Sequence, residues 1–162
     1  MGMMAADVGP ALFNTPLEAG LRAVIILEAF EPAQFDIATI SLLDYFLVHT
    51  ADAGGPESIH PDISARGGEY FVRRHLIEQG VALMMRSSLI EQIPTASGIL
   101  FHTHEAAAAM LDLLSTDYNR KLVAAANWLA TQARDRGEAT FLRDLRSKID
   151  RWSQEMIGGR AR

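Results

Sequence analysis

The chain contains no cysteine among its 162 residues. This absence excludes disulfide bonds, thiolate zinc sites, iron–sulfur clusters and a cysteine nucleophile. A chain of this length buries roughly 70% of the surface that its unfolded form exposes, so it needs neither disulfides nor metal to fold. Its composition, 49% apolar and 22% charged, is that of an ordinary folded protein. We predict a flexible arm over residues 1–11 and a single domain over 12–157.

Long hydrophobic runs are also missing. The apolar stretch 23–27 is closed by Glu28, and the stretch 42–48 is interrupted by Asp44. A membrane span requires about 20 consecutive apolar residues, and the first residues lack the basic flank and apolar run of a secretory signal. We therefore expect a cytoplasmic protein that does not contact membranes.

The charges are divided unevenly along the chain. Residues 1–119 hold 5 Lys and Arg against 15 Asp and Glu, whereas residues 120–162 hold 10 against 5. The acidic part is unsuited to nucleic acid, because such binders gain affinity by replacing counterions with Lys and Arg. The basic C-terminal part has three open interpretations: it contacts DNA, it faces an acidic protein partner, or its charges cover a solvated helix.

Helix signals begin at Thr15-Pro16-Leu17-Glu18, where a hydroxyl at the N-cap precedes a proline at the first helical position. Pro32 ends this first helix shortly after Phe30. Asp36 predicts the cap of a second helix over about 37–49. A third helix is predicted over 69–86, and Gly80 within it indicates close contact with another helix.

The remaining pattern predicts a two-stranded ribbon over 89–93 and 99–103, then helices over about 104–114, 117–134 and 138–156. The fold class is therefore mainly α with a small β ribbon. Three helices followed by a ribbon is the order of a winged-helix domain, here extended by C-terminal helices. In winged-helix regulators the third helix reads DNA.

Glycine and proline interrupt regular structure from Thr50 to Gly68, and loops of this length are often functional. Around its start lie Asp44, His49, Asp52 and His60, which form either a carboxylate–imidazole site or a hydrogen-bond network that ties the loop down. We favour the network, because side chains five positions apart on a helix, such as 44 and 49, point about 140° away from each other.

A second histidine pair, His102 and His104, alternates at the end of the predicted ribbon with Glu105 nearby. Two imidazoles and a carboxylate suit a metal ion, but no further ligand is evident. The serines of the long loop are not in a strand-to-helix elbow, and Gly54-Gly55-Pro56 lacks the features of a nucleotide-binding loop. We predict no catalytic residues, no metal and no cofactor. A metal-dependent enzyme built on either histidine pair is the least favoured alternative.

The only basic concentration before residue 120 comprises Arg73 and Arg74 together with Arg66 and Arg86. These side chains contact phosphate or pair with nearby acids, among them Glu69 and Glu78, and pairing is favoured. An arginine pair on a polar helix face is also a common anchor of protein interfaces.

Three segments together resemble a known family, the middle-component-2 family of bacterial ABC-three-component systems, over roughly residues 12–155. They are Phe13-Asn14-Thr15-Pro16-Leu17-Glu18-Ala19-Gly20-Leu21-Arg22; Leu43-Asp44-Tyr45-Phe46-Leu47-Val48-His49-Thr50-Ala51-Asp52-Ala53-Gly54-Gly55-Pro56 with Ile59-His60-Pro61-Asp62; and Gly68-Glu69 with Val72-Arg73-Arg74.

The resemblance implies a non-catalytic adaptor subunit of an anti-phage defence complex of the Lamassu type. Its partners would be an ATPase similar to SMC and Rad50 proteins and an effector, with DNA reached only indirectly or through the basic C-terminal helices. The residues assigned by this resemblance to the family signature or to partner binding are Asn14, Thr15, Glu18, Arg22, Asp44, His49, Asp52, Gly54, Gly55, Pro56, His60, Pro61, Arg73 and Arg74.

The order of elements also supports an alternative, a winged-helix transcription regulator that binds DNA and dimerises through its C-terminal helices. A homodimer is expected in either case. The C-terminal helices carry Trp128 and Trp152 and two apolar stripes, which is more apolar surface than one small core uses.

Overall fold

A computed structural model describes residues 15–61 and 66–160 of the chain. The expected N-terminal arm and Asn14 lie outside the described residues. Within them the chain forms six α-helices, one short 3-10 helix and a single two-stranded antiparallel ribbon. The prediction of a mainly α fold with a small β ribbon is therefore confirmed.

The elements follow one another in chain order, with the long loop between η1 and α3. Their bounds are α1 (Pro16–Ala29), α2 (Ile37–Val48), the 3-10 helix η1 (Thr50–Ala53), α3 (Arg66–Arg86), β1 (Ile90–Thr95), β2 (Gly98–Thr103), α4 (Ala106–Asp112), α5 (Asp117–Arg136) and α6 (Glu138–Arg160).

Polar caps fix the starts of the helices where the sequence predicts them. The Thr15 hydroxyl accepts a hydrogen bond from the backbone N–H of Glu18 at 3.2 Å, and Pro16 occupies the first helical position. The Asp36 carboxylate accepts from the N–H of Thr39 at 2.8 Å. Each cap satisfies one of the four backbone donors that a helix leaves without an internal partner.

Two predicted boundaries were wrong. Helix α3 begins at Arg66 and not at residue 69, so Gly67 and Gly68 belong to a helix and not to the long loop. A glycine costs only about 1 kcal/mol in a helix, which the packing of the remaining turns offsets. The strands also pair as far as Thr95 and Gly98, which leaves a turn of only two residues between them.

Helix α2 lies at the centre of the core. Ten of its 12 residues are buried, and helices α1, α3, α5 and α6 all contact it. The ribbon joins this core through Phe35, whose N–H and carbonyl exchange hydrogen bonds with Phe101 of β2 at 3.1 and 2.8 Å. The hydroxyl of Thr103 also donates to the Glu28 carboxylate of α1 at 2.7 Å. Helices and ribbon therefore share one hydrophobic interior.

The apolar stripes of the C-terminal helices are used within this interior. Trp128 and Trp152, which we expected to supply surplus surface, are partly buried against the chain's own core. The stripe residues that we expected to add to it are buried in that core: Leu122, Ala125, Ala126, Leu129, Ala133, Phe141, Leu142, Leu145 and Ile149. Trp152 packs against Tyr45 and Phe46, with ring centroids 5.7 and 6.0 Å apart. The inference that these stripes exceed the needs of one core was therefore wrong.

None of the described helices combines the length and the apolarity needed to traverse a lipid bilayer.

Helices α1 and α3 touch through two glycines. A Cβ atom built on Gly80 would lie 2.4 Å from the backbone nitrogen of Gly20 and 2.7 Å from the carbonyl oxygen of Pro16. Backbone atoms cannot move aside as a flexible side chain does, so only glycine permits this approach. The close helix contact predicted at Gly80 is confirmed.

We expect Gly80→Ala to lower the free energy of unfolding by about 1–3 kcal/mol, the usual cost of forcing extra atoms into a packed interior. Helix propensity alone would raise it by up to about 1 kcal/mol. The matched control is Gly158→Ala in α6, where no atom lies within 4 Å of the added methyl group. Urea titration measures both variants, and an equal effect at the two positions would contradict the steric explanation.

Candidate functional site

The centre of the candidate site is a buried carboxylate held by two arginines. Asp44 lies on α2 and is fully buried, and Arg22 of α1 donates from Nε to its Oδ1 at 2.6 Å. Arg73 of α3 donates from Nη1 to Oδ2 at 2.8 Å. Both arginine side chains are at most 2% exposed. One carboxylate thereby joins three helices.

Electrostatics keep this carboxylate ionised. Burial raises the pKa of Asp44. The charges of Arg22 and Arg73 and their hydrogen bonds together lower it by more than burial raises it, so the pKa lies below the ordinary value of 3.8. Burying such charges is favourable only where the geometry is good and each charge is paired. Bonds of 2.6 and 2.8 Å to different carboxylate oxygens provide that geometry.

His60 extends the cluster to the long loop and to α5. Its Nδ1 lies 3.4 Å from Nη2 of Arg73, and its Nε2 lies 2.9 Å from the hydroxyl of Tyr118. Because a guanidinium only donates, Nδ1 is the acceptor and the proton of a neutral ring is on Nε2, towards Tyr118. Burial is the main cause that raises the pKa of the Tyr118 hydroxyl, which stays protonated at neutral pH. The backbone N–H of His60 also donates to the carbonyl of Val48 at 2.9 Å.

The first part of the long loop folds back on itself. Tyr45 donates from its hydroxyl to the Asp52 carboxylate at 2.8 Å, and His49 packs on the Tyr45 ring with centroids 4.8 Å apart. The hydroxyl of Thr50 donates to the carbonyl of Pro56 at 3.0 Å. These contacts hold η1 and the turn after it against α2.

Glycines shape the turn that follows η1. Gly54 has φ +78°, a left-handed conformation that other residues adopt with strain. A Cβ atom built on Gly55 would lie 2.5 Å from the Trp128 ring of α5. The loop therefore lies directly on the indole.

The predicted site residues fall into two groups. Arg22, Asp44, His60 and Arg73 form one continuous cluster. Of the favoured network of Asp44, His49, Asp52 and His60, only Asp44 and His60 are members of this cluster. The others are dispersed: Thr15 and Glu18 at the exposed start of α1, His49 and Asp52 around Tyr45, Gly54, Gly55 and Pro56 in the turn, and Pro61 exposed at the edge of the described range.

The adjacent arginines Arg73 and Arg74 have opposite environments. Arg73 is buried in the ion cluster, whereas Arg74 is exposed and lies 3.9 Å from Glu78, one helical turn further on. The expected pairing with acids occurs for both, but the acid that binds Arg73 is Asp44 on another helix. Arg66 and Glu69 have no described side-chain environment.

The second histidine pair faces a different carboxylate from the expected one. His102 and His104 lie 3.1 and 3.7 Å from Glu91 of the opposite strand, and not beside Glu105. Nδ1 of His104 accepts from the N–H of Ala106 at 3.0 Å, so Nε2 of the neutral ring carries its proton towards Glu91. Across residues 15–61 and 66–160, no group of three or more His, Asp and Glu is arranged to hold a metal ion.

Sequence reasoning missed the aromatic partners Tyr45, Tyr118 and Trp128, as well as the pairing of Arg22 with Asp44. A signal for that pairing exists in the sequence. Arg22 is flanked by Leu21, Ala23 and Val24, in a segment that is apolar on all sides and is therefore expected to be buried. An arginine is rarely buried unless it is paired with an acid, so the position of Arg22 indicates a buried partner.

Comparison with known proteins places the chain in a family. The model of the ABC-three component (ABC-3C) system Middle Component 2 family matches residues 12–155. The chain belongs to this family. No curated protein and no solved structure matches it. The match to Middle Component 2 spans all the elements of the core, from α1 into α6, and confirms the resemblance seen in the sequence.

We expect Asp44→Asn in this Middle Component 2 protein to lower the free energy of unfolding by about 3–5 kcal/mol, because it leaves two buried guanidinium groups without their counter-charge. Chemical denaturation monitored by circular dichroism measures the change. The matched control is Glu78→Gln, which breaks an exposed pair and should cost under about 1 kcal/mol.

The effect of Asp44→Asn should also depend on pH. The folded-state pKa of Asp44 lies below its ordinary value of 3.8, so the ionised carboxylate stabilises the fold fully above that value. This stabilisation is lost as the pH falls through the folded-state pKa. The difference between wild type and variant should be constant near neutrality and should shrink below pH 3.8; a constant difference throughout would contradict an ionised Asp44.

Proposed function

We propose that this Middle Component 2 protein is a non-catalytic adaptor of an anti-phage ABC-three-component complex. In this proposal it links an ATPase similar to SMC and Rad50 proteins to an effector. The observation that carries the proposal is the family match over residues 12–155, because the family is named for one component of a three-component system. A cytoplasmic location is part of the same proposal.

The geometry of the ionisable residues supports a structural and not a chemical role for them. Both carboxylate oxygens of Asp44 accept hydrogen bonds from arginines, and the Asp52 carboxylate accepts one from the Tyr45 hydroxyl. His60 is held between Arg73 and Tyr118. Groups of this kind perform acid–base chemistry when they face a substrate, whereas here they fasten helices and a loop to each other.

The alternative of a winged-helix regulator has less support. Its helix α3 would have to present Arg73 to a phosphate, but Arg73 is 2% exposed and bound to Asp44. The same helix packs against α1, α2 and α6. The winged-helix assignment itself stays a prediction from element order. A homodimer also stays a prediction. It was based on apolar stripes in excess of the core, and these stripes are buried inside the core.

Co-expression with the product of the neighbouring ATPase gene tests the adaptor. We expect the ATPase to co-purify with this chain and to elute with it in a single peak on gel filtration. A surface variant, Glu78→Gln, serves as the control and should co-purify equally well. Separate elution of two folded proteins would contradict the proposal.

A salt titration with duplex DNA tests the alternative. We expect no saturable change in fluorescence anisotropy at low salt, since the acidic part of the chain repels the phosphate backbone. Binding that weakens steeply as salt is added, and that is lost in Arg74→Glu, would favour the regulator over the adaptor.

A further inference from the structure

A basic groove lies between η1 and α6. It encloses about 370 Å³ and is bordered by Ala53 and Gly54 on one side and by α6 and the end of α5 on the other. Its charged lining consists of Arg136, Asp144, Lys148 and Arg151. Three cations against one carboxylate give the groove a positive charge in a protein whose net charge is −5.

Two of these cations differ from most of the arginines of α5 and α6. Most arginines there contact an oxygen of this chain: Arg120 with Asp117, Arg134 with Thr131, Arg136 with Asp144, Arg143 with Thr140 and Arg146 with Thr39. Lys148 and Arg151 line the groove without such a contact in the part of the chain that the structure describes.

Arg136 is in contrast fixed in place. Asp144 binds its guanidinium, which also lies over the Phe141 ring, 5.5 Å from the centroid. One wall of the groove is thus preformed, and the charges of Lys148 and Arg151 are available to an incoming anion.

A second groove lies a few residues further along the same loop. It encloses about 450 Å³ and is bordered by the loop residues Pro56 to Ile59 and by Lys121, Ala124 and Ala125 of α5. Lys121 is exposed. Between the two grooves the loop crosses Trp128 at Gly55. From Lys121 to Arg136 is about 22 Å along the helix, the length of about seven extended residues.

We propose that the two grooves together bind an extended acidic segment of a partner protein, with carboxylates at Lys148 and Arg151 and a further one at Lys121. The inference rests on the proposed adaptor function, for which it names the chemistry of the partner's docking segment. Each contact would be a charge-assisted hydrogen bond.

The charge pattern favours such a peptide over nucleic acid. Each groove has its own carboxylate, Asp144 in the first and Glu57 in the second. Duplex DNA presents one charge per roughly 1.7 Å and would place phosphates beside both of them. A peptide presents carboxylates only at chosen positions and avoids this repulsion.

The experiment measures fluorescence anisotropy of a labelled peptide of about seven residues that carries three Asp or Glu residues, two near one end and one near the other. Its matched probes are the same peptide with Asn and Gln, and duplex DNA. We expect the acidic peptide to bind, and we expect neither the amide peptide nor the DNA to bind saturably. Lys148→Glu with Arg151→Glu should raise the Kd at least about tenfold.

The matched control is Arg120→Glu with Arg143→Glu, which makes the same change of net charge outside both grooves. It should change the Kd by no more than about twofold. Lys148→Gln with Arg151→Gln provides a milder pair, and circular dichroism confirms that each variant folds. Equal weakening by both charge reversals, stronger binding of DNA, or no binding of the acidic peptide would overturn the inference.

The outcome is separable from that of the adaptor proposal. If the ATPase co-purifies but the acidic peptide does not bind, the groove inference fails and the adaptor stands. If the peptide binds with the expected pattern but no ATPase co-purifies, the adaptor fails and the acidic-segment site stands on its own.

Discussion

The ion cluster at Asp44 is the constraint on which the rest of the fold depends. Two guanidinium groups removed from water require a counter-charge, and α2 supplies it at one point deep in the core. Helices α1 and α3 must therefore approach α2 in an orientation that lets Nε of Arg22 and Nη1 of Arg73 reach separate oxygens. The glycine contact between α1 and α3 brings the two helices close together, and the cluster selects their orientation.

The same cluster also holds the long loop in position. The His60 imidazole receives one bond from Arg73 of α3 and contacts Tyr118 of α5, and the His60 backbone N–H donates to Val48 of α2, so this one residue links the loop to three helices. The indole of Trp128 then supports the turn at Gly55. The described part of this segment, up to Pro61, is in this way held by a few polar and aromatic contacts, although it forms only one short helix of its own. This explains how it presents defined grooves on both sides of Gly55.

Much of the architecture was predictable because its signals are local. Thr15 and Asp36 act within three residues of themselves, and Gly80 marks a close contact by the absence of a side chain. A network around the loop histidines was also predictable in kind. Its actual members were not, because Arg22 and Arg73 lie 22 and 29 residues from Asp44 in sequence, and local pattern carries no information about such pairs.

The different environments of Arg73 and Arg74, one buried and one exposed, show where sequence reasoning fails. Neighbouring residues on a helix differ by about 100° in direction, so one arginine of the pair points into the core and the other into solvent. Only the packing partners of α3 decide which is which. The histidines of the ribbon give a similar case, since the cross-strand register, and not the sequence neighbourhood, brings Glu91 to them.

The three charged side chains of the ion cluster, Arg22, Asp44 and Arg73, lie in the interior, with His60 partly buried beside them. They are therefore inaccessible to another protein, whereas Arg120 and Arg143 on α5 and α6 are exposed. Exposed side chains of such a protein can be substituted to suit a different partner without repacking of its interior.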